Sequence, residues 1–143
     1  AAFADDLRTR IDAAGLKSRI IMTGELPIGE VPGWYRRLTI YTFTSRNEGF
    51  GLTLLEAMSS GAALVAARAG AADKVVADGE TGFLVPPGDA TAMADAIGRL
   101  MRDPAHALEM GSKGRERVVS QFSIEAEVDR IAAVYRNVLG FVR

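Results

Sequence analysis

The sequence has 143 residues, a formal net charge of −1 and 48% hydrophobic residues, which predicts one globular domain with a proper core. This charge balance gives no sign of a nucleic-acid partner, and the absence of cysteine excludes disulfides and thiolate metal sites. The sequence also lacks an apolar run of roughly 18 residues and the basic start of a signal peptide, so it predicts neither a membrane span nor an export signal.

The first third of the chain predicts a helix, a strand and a loop. Apolar residues at helical spacing predict an amphipathic helix over residues 2–14. Arg19–Gly24 is a short apolar stretch that predicts a strand, and the segment from Gly24 to Leu26 is expected at a ligand-binding edge. An ordinary turn between a strand and a helix explains that segment equally well. A short helix is expected over residues 33–38, with Trp34 in the core.

The central part of the sequence predicts a strand, a glycine-containing loop and a helix. Residues 39–44 are β-branched and aromatic, which favours a buried strand ending at Ser45. Gly49 and Gly51 then allow the backbone to approach a ligand closely, and a helix beginning near Gly51 has unpaired N–H groups in its first turn. This arrangement favours an anion, and a phosphate is the expected one.

The helix that begins near Gly51 has a predicted inner face and a predicted outer face. The inner face carries Gly51, Leu54, Leu55 and Met58, whereas Glu56 lies nearly opposite with Leu52 and Ser59. Spacing alone favours a solvated Glu56 over a ligand-binding one. The sequence leaves both interpretations open.

The remaining elements predict an α/β fold with a parallel sheet. Residues 62–67 and 83–85 predict two further strands, and helices are expected after the capping residues Asp89, Asp103 and Ser123. A dinucleotide site is excluded because Leu54 occupies the position of the third glycine in the G-x-G-x-x-G fingerprint. A phospho-acceptor receiver domain is disfavoured because Ser45, and not aspartate, ends the central strand.

Two glutamates eight positions apart carry a family resemblance. Glu48 and Glu56 form an E-x7-E pair, with Gly-Phe-Gly-Leu after the first glutamate and Glu-Ala-Met-x-x-Gly closing the helix. This pattern resembles the donor half of retaining glycosyltransferases of family four, which have the GT-B fold. The resemblance implies a Rossmann-like parallel β-sheet flanked by helices, the C-terminal half of a GT-B fold. It implies a donor-binding domain over residues 1–143, truncated at its start, with the N-terminal acceptor domain absent and the isolated chain inactive.

The resemblance also implies a role for each matching residue. Glu48 is expected to be catalytic and, with the backbone after it, to hold the sugar and phosphate, whereas Glu56 is expected to accept hydrogen bonds from the ribose. The donor-binding residues implied are Gly24, Leu26, Gly49, Phe50, Gly51, Leu52, Thr53 and Glu56. No metal and no cofactor are expected. A carboxylate pair also occurs in glycoside hydrolases, but its position on a phosphate-binding turn favours sugar transfer.

The substrates implied are a nucleotide sugar and a glycan. The segments 34–39 and 45–52 are similar to bacterial mannosyltransferases of lipopolysaccharide core assembly, which implies GDP-mannose, with UDP- and ADP-linked sugars as alternatives. A glycan or lipid-linked acceptor would bind through the N-terminal domain. The full enzyme is correspondingly expected in the cytoplasm, with peripheral association at the inner face of the membrane. A non-catalytic nucleotide-binding or interaction module and a sugar-nucleotide epimerase remain alternative functions. Lys17, Arg19 and Arg46 are expected in solvent.

Overall fold

A computed structural model describes residues 2–46 and 49–140. The chain divides into two compact units, one ending at Val31 and the other beginning at Pro32. None of the helices within these described ranges is long and apolar enough to cross a membrane.

The first unit contains one helix and a long loop. Helix α1 spans Ala2–Ala13, as predicted, and none of its side chains is buried. The predicted strand over Arg19–Gly24 is wrong: these residues form turns and loop, and Ile21 is 77% exposed. An extended segment is stable only when a neighbouring strand satisfies its backbone hydrogen bonds, and among the described residues no strand pairs with this one.

The second unit is an open parallel sheet with helices on both faces. Its three strands lie in the order β1-β2-β3 and pair in parallel, which confirms the predicted α/β class. The elements from the boundary between the units onward, in chain order, are α2 Val31–Tyr35, β1 Ile40–Phe43, α3 Leu52–Ser59, β2 Ala63–Ala67, α4 Ala72–Val75, β3 Gly82–Val85, α5 Ala90–Arg102, α6 Pro104–Gln121 and α7 Ile124–Val138.

Strand β2 lies at the centre of the sheet and every residue in it is buried. Its side chains alternate between two hydrophobic clusters, because successive residues of a strand point to opposite faces. Leu64 and Ala66 belong to the cluster that includes α3 and α4. Ala63 and Val65 belong to the cluster that includes α5 and α6. The continuous apolar run is therefore the pattern of a strand covered on both faces.

The helix caps follow the sequence prediction. Asp89, Asp103 and Ser123 precede α5, α6 and α7, and each accepts a hydrogen bond from a backbone N–H in the first turn of its helix. Apolar side chains along α7 are exposed, with Ile124 79% accessible.

The core contribution of α2 differs from the prediction. Tyr35, and not Trp34, packs against the cluster of α3 and α4. Trp34 is half-buried, and the Arg37 guanidinium lies 5.1 Å from the centroid of its ring. The expectation of a core tryptophan is wrong because the five-residue helix turns the neighbouring tyrosine inward.

Candidate nucleotide-sugar site

The loop between β1 and α3 leads into a glycine in the left-handed conformation. Gly49 and Phe50 are exposed, and Gly51 is buried with φ of 74° and ψ of 45°. A residue with a Cβ is disfavoured in this conformation, so the sequence needs glycine here for the chain to enter α3. The predicted catalytic residue, Glu48, lies outside the described residues.

The first turn of α3 has no side-chain cap. The Gly51 carbonyl accepts from the N–H groups of Leu54 and Leu55, at 2.9 and 3.4 Å, and Gly51 itself has no side chain to accept from the first-turn N–H groups. In contrast, α5, α6 and α7 each use a carboxylate or hydroxyl for this purpose. The start of α3 therefore suits an external anion that would take the place of a cap.

The predicted faces of α3 are confirmed. Leu54 and Met58 are fully buried, whereas Glu56 is exposed on the side away from the core. Thr53 is also exposed, and Phe50 and Leu52 are 56% and 63% exposed. Every described member of the predicted donor set between Gly49 and Glu56 is therefore exposed, except for the buried Gly51.

The sequence analysis missed an electrostatic effect of Glu56 on Tyr35, which ends α2. Burial first, and the nearby Glu56 carboxylate second, raise the pKa of Tyr35 far above its ordinary value of 10.0. No local sequence signal links the two residues, because one ends α2 and the other lies in α3.

Gly24 and Leu26 belong to the first unit. Gly24 has φ of 65°, its carbonyl accepts a hydrogen bond from the Thr23 hydroxyl at 3.1 Å, and Leu26 is half-buried. The left-handed glycine supports a turn at this point. Their role in donor binding stays a prediction.

An arginine organises the loop after β2. The Arg68 guanidinium contacts the Asp73 carboxylate at 2.6 Å and the Asp78 carboxylate at 2.8 Å, and Asp78 also accepts from the Leu84 N–H at 2.9 Å. These exposed pairs are worth little individually, but together they join the loop to β3. The Asp73 carboxylate on α4 and the Asp78 carboxylate after it are consequently both engaged by Arg68.

A cavity of about 380 Å³ lies at the carboxyl ends of the three strands, on the side of α5. The Arg46 side chain, expected in solvent, lines this cavity next to Gly88, where an added Cβ would lie 3.1 Å from the guanidinium. The carboxyl ends of parallel strands are where α/β sheets bind ligands. The remaining lining residues are Thr44, Ala67, Pro86, Asp89, Ala90, Met93, Ala94 and Ile97.

Comparison with known proteins gives consistent matches. The model of the family described as glycosyl transferases group 1 matches residues 2–117. The chain is 47% identical over 139 residues to the lipopolysaccharide core biosynthesis mannosyltransferase LpcC of Rhizobium leguminosarum bv. viciae. This match covers 97% of the chain and 39% of the relative, so the chain spans well under half the length of that protein.

Solved structures agree with the sequence matches. The crystal structure of the C-terminal domain of a glycosyl transferase group 1 family protein (LpcC) from Francisella tularensis superposes with a TM-score of 0.81 and 35% identity, covering 86% of this chain and 64% of that one. Anabaena HepE, crystallised in complex with UDP, superposes with a TM-score of 0.85 and 26% identity, covering 95% of this chain and 37% of that one.

The open parallel sheet flanked by helices is thus the C-terminal domain architecture of GT-B glycosyltransferases, as the E-x7-E resemblance implied. The chain belongs to the glycosyl transferases group 1 family.

Proposed function

We propose that this chain is the donor-binding part of a retaining glycosyltransferase that transfers a hexose from a nucleotide sugar. The observation that carries the proposal is the start of α3, where left-handed Gly51 leaves the first-turn N–H groups without a side-chain cap and Glu56 is exposed about one turn further on. Backbone dipoles fixed at this point would stabilise the negative charge that develops on a leaving diphosphate.

Within this proposal each part of the surface has one role. The N–H groups at the start of α3 bind the diphosphate, the Glu56 carboxylate accepts hydrogen bonds from the ribose hydroxyls, and Glu48 acts at the donor sugar. A role of Gly24 and Leu26 in donor binding stays a separate prediction. The transfer requires neither a metal ion nor a cofactor.

The proposed donor is GDP-mannose and the proposed acceptor is a lipopolysaccharide core glycan. The support is the 47% identity to a lipopolysaccharide core mannosyltransferase. UDP-linked sugars are the alternative donors, because the related HepE was crystallised with UDP. The proposed place of action is the cytoplasmic face of the inner membrane, where the acceptor would lie.

Nucleotide titration tests the proposal. GDP, UDP and ADP would be titrated by calorimetry into the full-length protein that carries this chain, with and without Glu56→Ala. Loss of a ribose hydrogen bond to a carboxylate should weaken binding by about 1–3 kcal/mol, or roughly 5- to 150-fold. Glu116→Ala, which removes an exposed glutamate from α6, is the matched control and should bind as the wild type.

Two outcomes would contradict the proposal. An unchanged nucleotide affinity in Glu56→Ala would show that Glu56 is a solvated surface residue and does not bind the ribose. Nucleotide-sugar binding by the full-length protein without any transfer to lipopolysaccharide core acceptors would favour a non-catalytic binding module.

A further inference from the structure

The cavity on the side of α5 has a lining residue from the end of each strand. Thr44 follows β1, Ala67 ends β2 and Pro86 follows β3, and side chains of α5, Met93 and Ile97 among them, also line it. Its volume of about 380 Å³ falls in the range of about 300–1,000 Å³ in which small-molecule sites are found. The cavity thus has the size and the mainly apolar lining of a small-molecule site, and the proposed donor contacts leave it unused.

Arg46 brings a positive charge to this cavity. Among the described residues, no hydrogen bond or ion pair engages its guanidinium. Two arginines that line other cavities are engaged, since Arg8 pairs with Asp5 and Arg99 lies 4.4 Å from the centroid of the Phe83 ring. Within the described part of the chain, the Arg46 guanidinium therefore keeps its five N–H donors for a ligand or for water.

Gly88 makes room for this guanidinium. Its φ is 81°, and an added Cβ would lie 3.1 Å from Nη2 of Arg46, which is closer than an ordinary contact. The next residue, Asp89, also lines the cavity, but its carboxylate accepts from the Ala92 N–H at 2.9 Å and caps α5. The dipole of α5 offsets part of the negative charge of this carboxylate. The charge of Arg46 is therefore available to a ligand.

A guanidinium in such a place selects one class of ligand. Its planar fork of donors matches two oxygens of a carboxylate or a phosphate, and the resulting hydrogen bonds are charge-assisted. Apolar walls lower the local dielectric constant and strengthen such a pair. Thr44 carries a hydroxyl that can bind a hydroxyl group of the same ligand. The lining therefore fits a small molecule that has an anionic group and hydroxyls.

The cavity is separate from the proposed position of the donor diphosphate. Helix α3 packs on one face of the sheet and α5 packs on the other. Both positions adjoin the connection between β1 and α3, because Arg46 and Gly51 belong to it. A ligand in the cavity would therefore be a neighbour of the donor and would not take its place.

We propose that this cavity is a second binding site, for a small molecule that carries a carboxylate or a phosphate, and that Arg46 binds this anionic group. The anionic group belongs either to the acceptor sugar or to a free anion, and the experiment separates these two sources. The site goes beyond the proposed function, because none of the donor contacts requires it.

Methyl NMR of the full-length protein that carries this chain tests the site. Methionine would be labelled with ¹³C at its methyl group, and Met93→Leu would identify the signal of Met93. Inorganic phosphate and glucuronate would be titrated against chloride at constant ionic strength. Both anions should shift the Met93 signal in a saturable way, whereas the signal of Met58, which is fully buried in the cluster of α3 and α4, should not move.

Three variants assign the binding to the guanidinium. Arg46→Gln removes the charge and should weaken the binding of both anions by roughly 10- to 150-fold. Arg46→Lys keeps the charge but loses the planar fork, and should weaken it by about three- to tenfold. Arg115→Gln makes the same charge change at an exposed position of α6 that does not line the cavity, so it is the matched control and should bind as the wild type.

The outcomes separate this site from the proposed donor site. A Met93 shift that does not saturate, or that is the same in Arg46→Gln as in the wild type, refutes the anion site. A loss of GDP affinity in Arg46→Gln as large as its loss of anion affinity also refutes it, because Arg46 would then belong to the donor site. If the anions bind through Arg46 but no nucleotide binds, the proposed function fails and the anion site stands.

Transfer kinetics then identify the source of the anionic group. With the site shown by NMR, a raised KM for the acceptor and an unchanged KM for the donor in Arg46→Gln would assign the group to the acceptor. Unchanged KM values for both substrates would assign it to a free anion.

Discussion

Gly111 permits a close approach between α6 and the end of α3, and alanine at this position should destabilise the protein. A Cβ added to Gly111 would lie 2.0 Å from the carbonyl oxygen of Gly61 and 2.8 Å from its carbon. Both atoms belong to the backbone, so no side-chain rotation relieves the overlap. Helix α6 would have to move outward by roughly 1 Å, which weakens the dispersion contacts of its buried residues Ala107 and Met110.

The size of the effect is a balance of two terms. Overpacking of this kind costs about 1–3 kcal/mol, and the severity of the overlap places Gly111 at the upper end. Replacing a glycine in the interior of a helix by alanine raises the free energy of unfolding by about 1 kcal/mol through helix propensity. We therefore expect Gly111→Ala to lower the free energy of unfolding by about 2 kcal/mol.

The same helix provides the control. A Cβ at Gly114 would lie 3.6 Å from the Met58 side chain, an ordinary contact, so Gly114→Ala should gain most of the roughly 1 kcal/mol of helix propensity. Urea unfolding followed by circular dichroism would give both midpoints. The close-approach argument is refuted if Gly111→Ala is as stable as the wild type with an unchanged denaturant slope.

Three further predictions concern the sheet, a helix cap and pH. Gly82→Ala should lower the free energy of unfolding by about 1–3 kcal/mol, because its Cβ would lie 2.7 Å from the Cβ and 2.8 Å from the carbonyl oxygen of Leu64; an unchanged urea midpoint would contradict this. Asp103→Ala should cost about 1 kcal/mol through loss of the 3.0 Å cap bond from the His106 N–H, and Asp103→Asn should restore most of it in the same assay. Burial and Glu56 raise the pKa of Tyr35, so the stability that its protonated phenol contributes is complete below pH 10.0 and is lost as the pH rises further. The free energy of unfolding of Tyr35→Phe should therefore fall less than that of the wild type between about pH 10 and 11. An equal fall in both proteins would argue against the buried phenol.

The elements predicted correctly are those with local signals. The β-branched run before Ser45 indicated β1, and the caps Asp89, Asp103 and Ser123 located the starts of α5, α6 and α7. Each of these signals comes from residues that are close together in the sequence, so it can be recognised without knowledge of the tertiary structure. The inner and outer faces of α3 followed from helical periodicity for the same reason.

The errors and omissions arise from interactions between distant segments. The apolar run at Arg19–Gly24 has the composition of a strand, but composition does not show whether a neighbouring strand is present to pair with it. Glu56 raises the pKa of Tyr35 although the two residues belong to different helices, and sequence spacing does not record which residues of two helices lie near each other. Arg46 likewise lies beside Gly88, a residue that is distant in the sequence.

The central position of β2 has a consequence for how the second unit unfolds. Leu64 and Ala66 pack into one cluster and Ala63 and Val65 into the other, and all four have 0% exposure. Neither cluster can open without exposing residues of a strand that the other also covers, so the two should unfold as one cooperative unit. The amides of β2 should accordingly exchange with solvent only through global unfolding, whereas those of α7, which has no buried residue, should exchange through local opening.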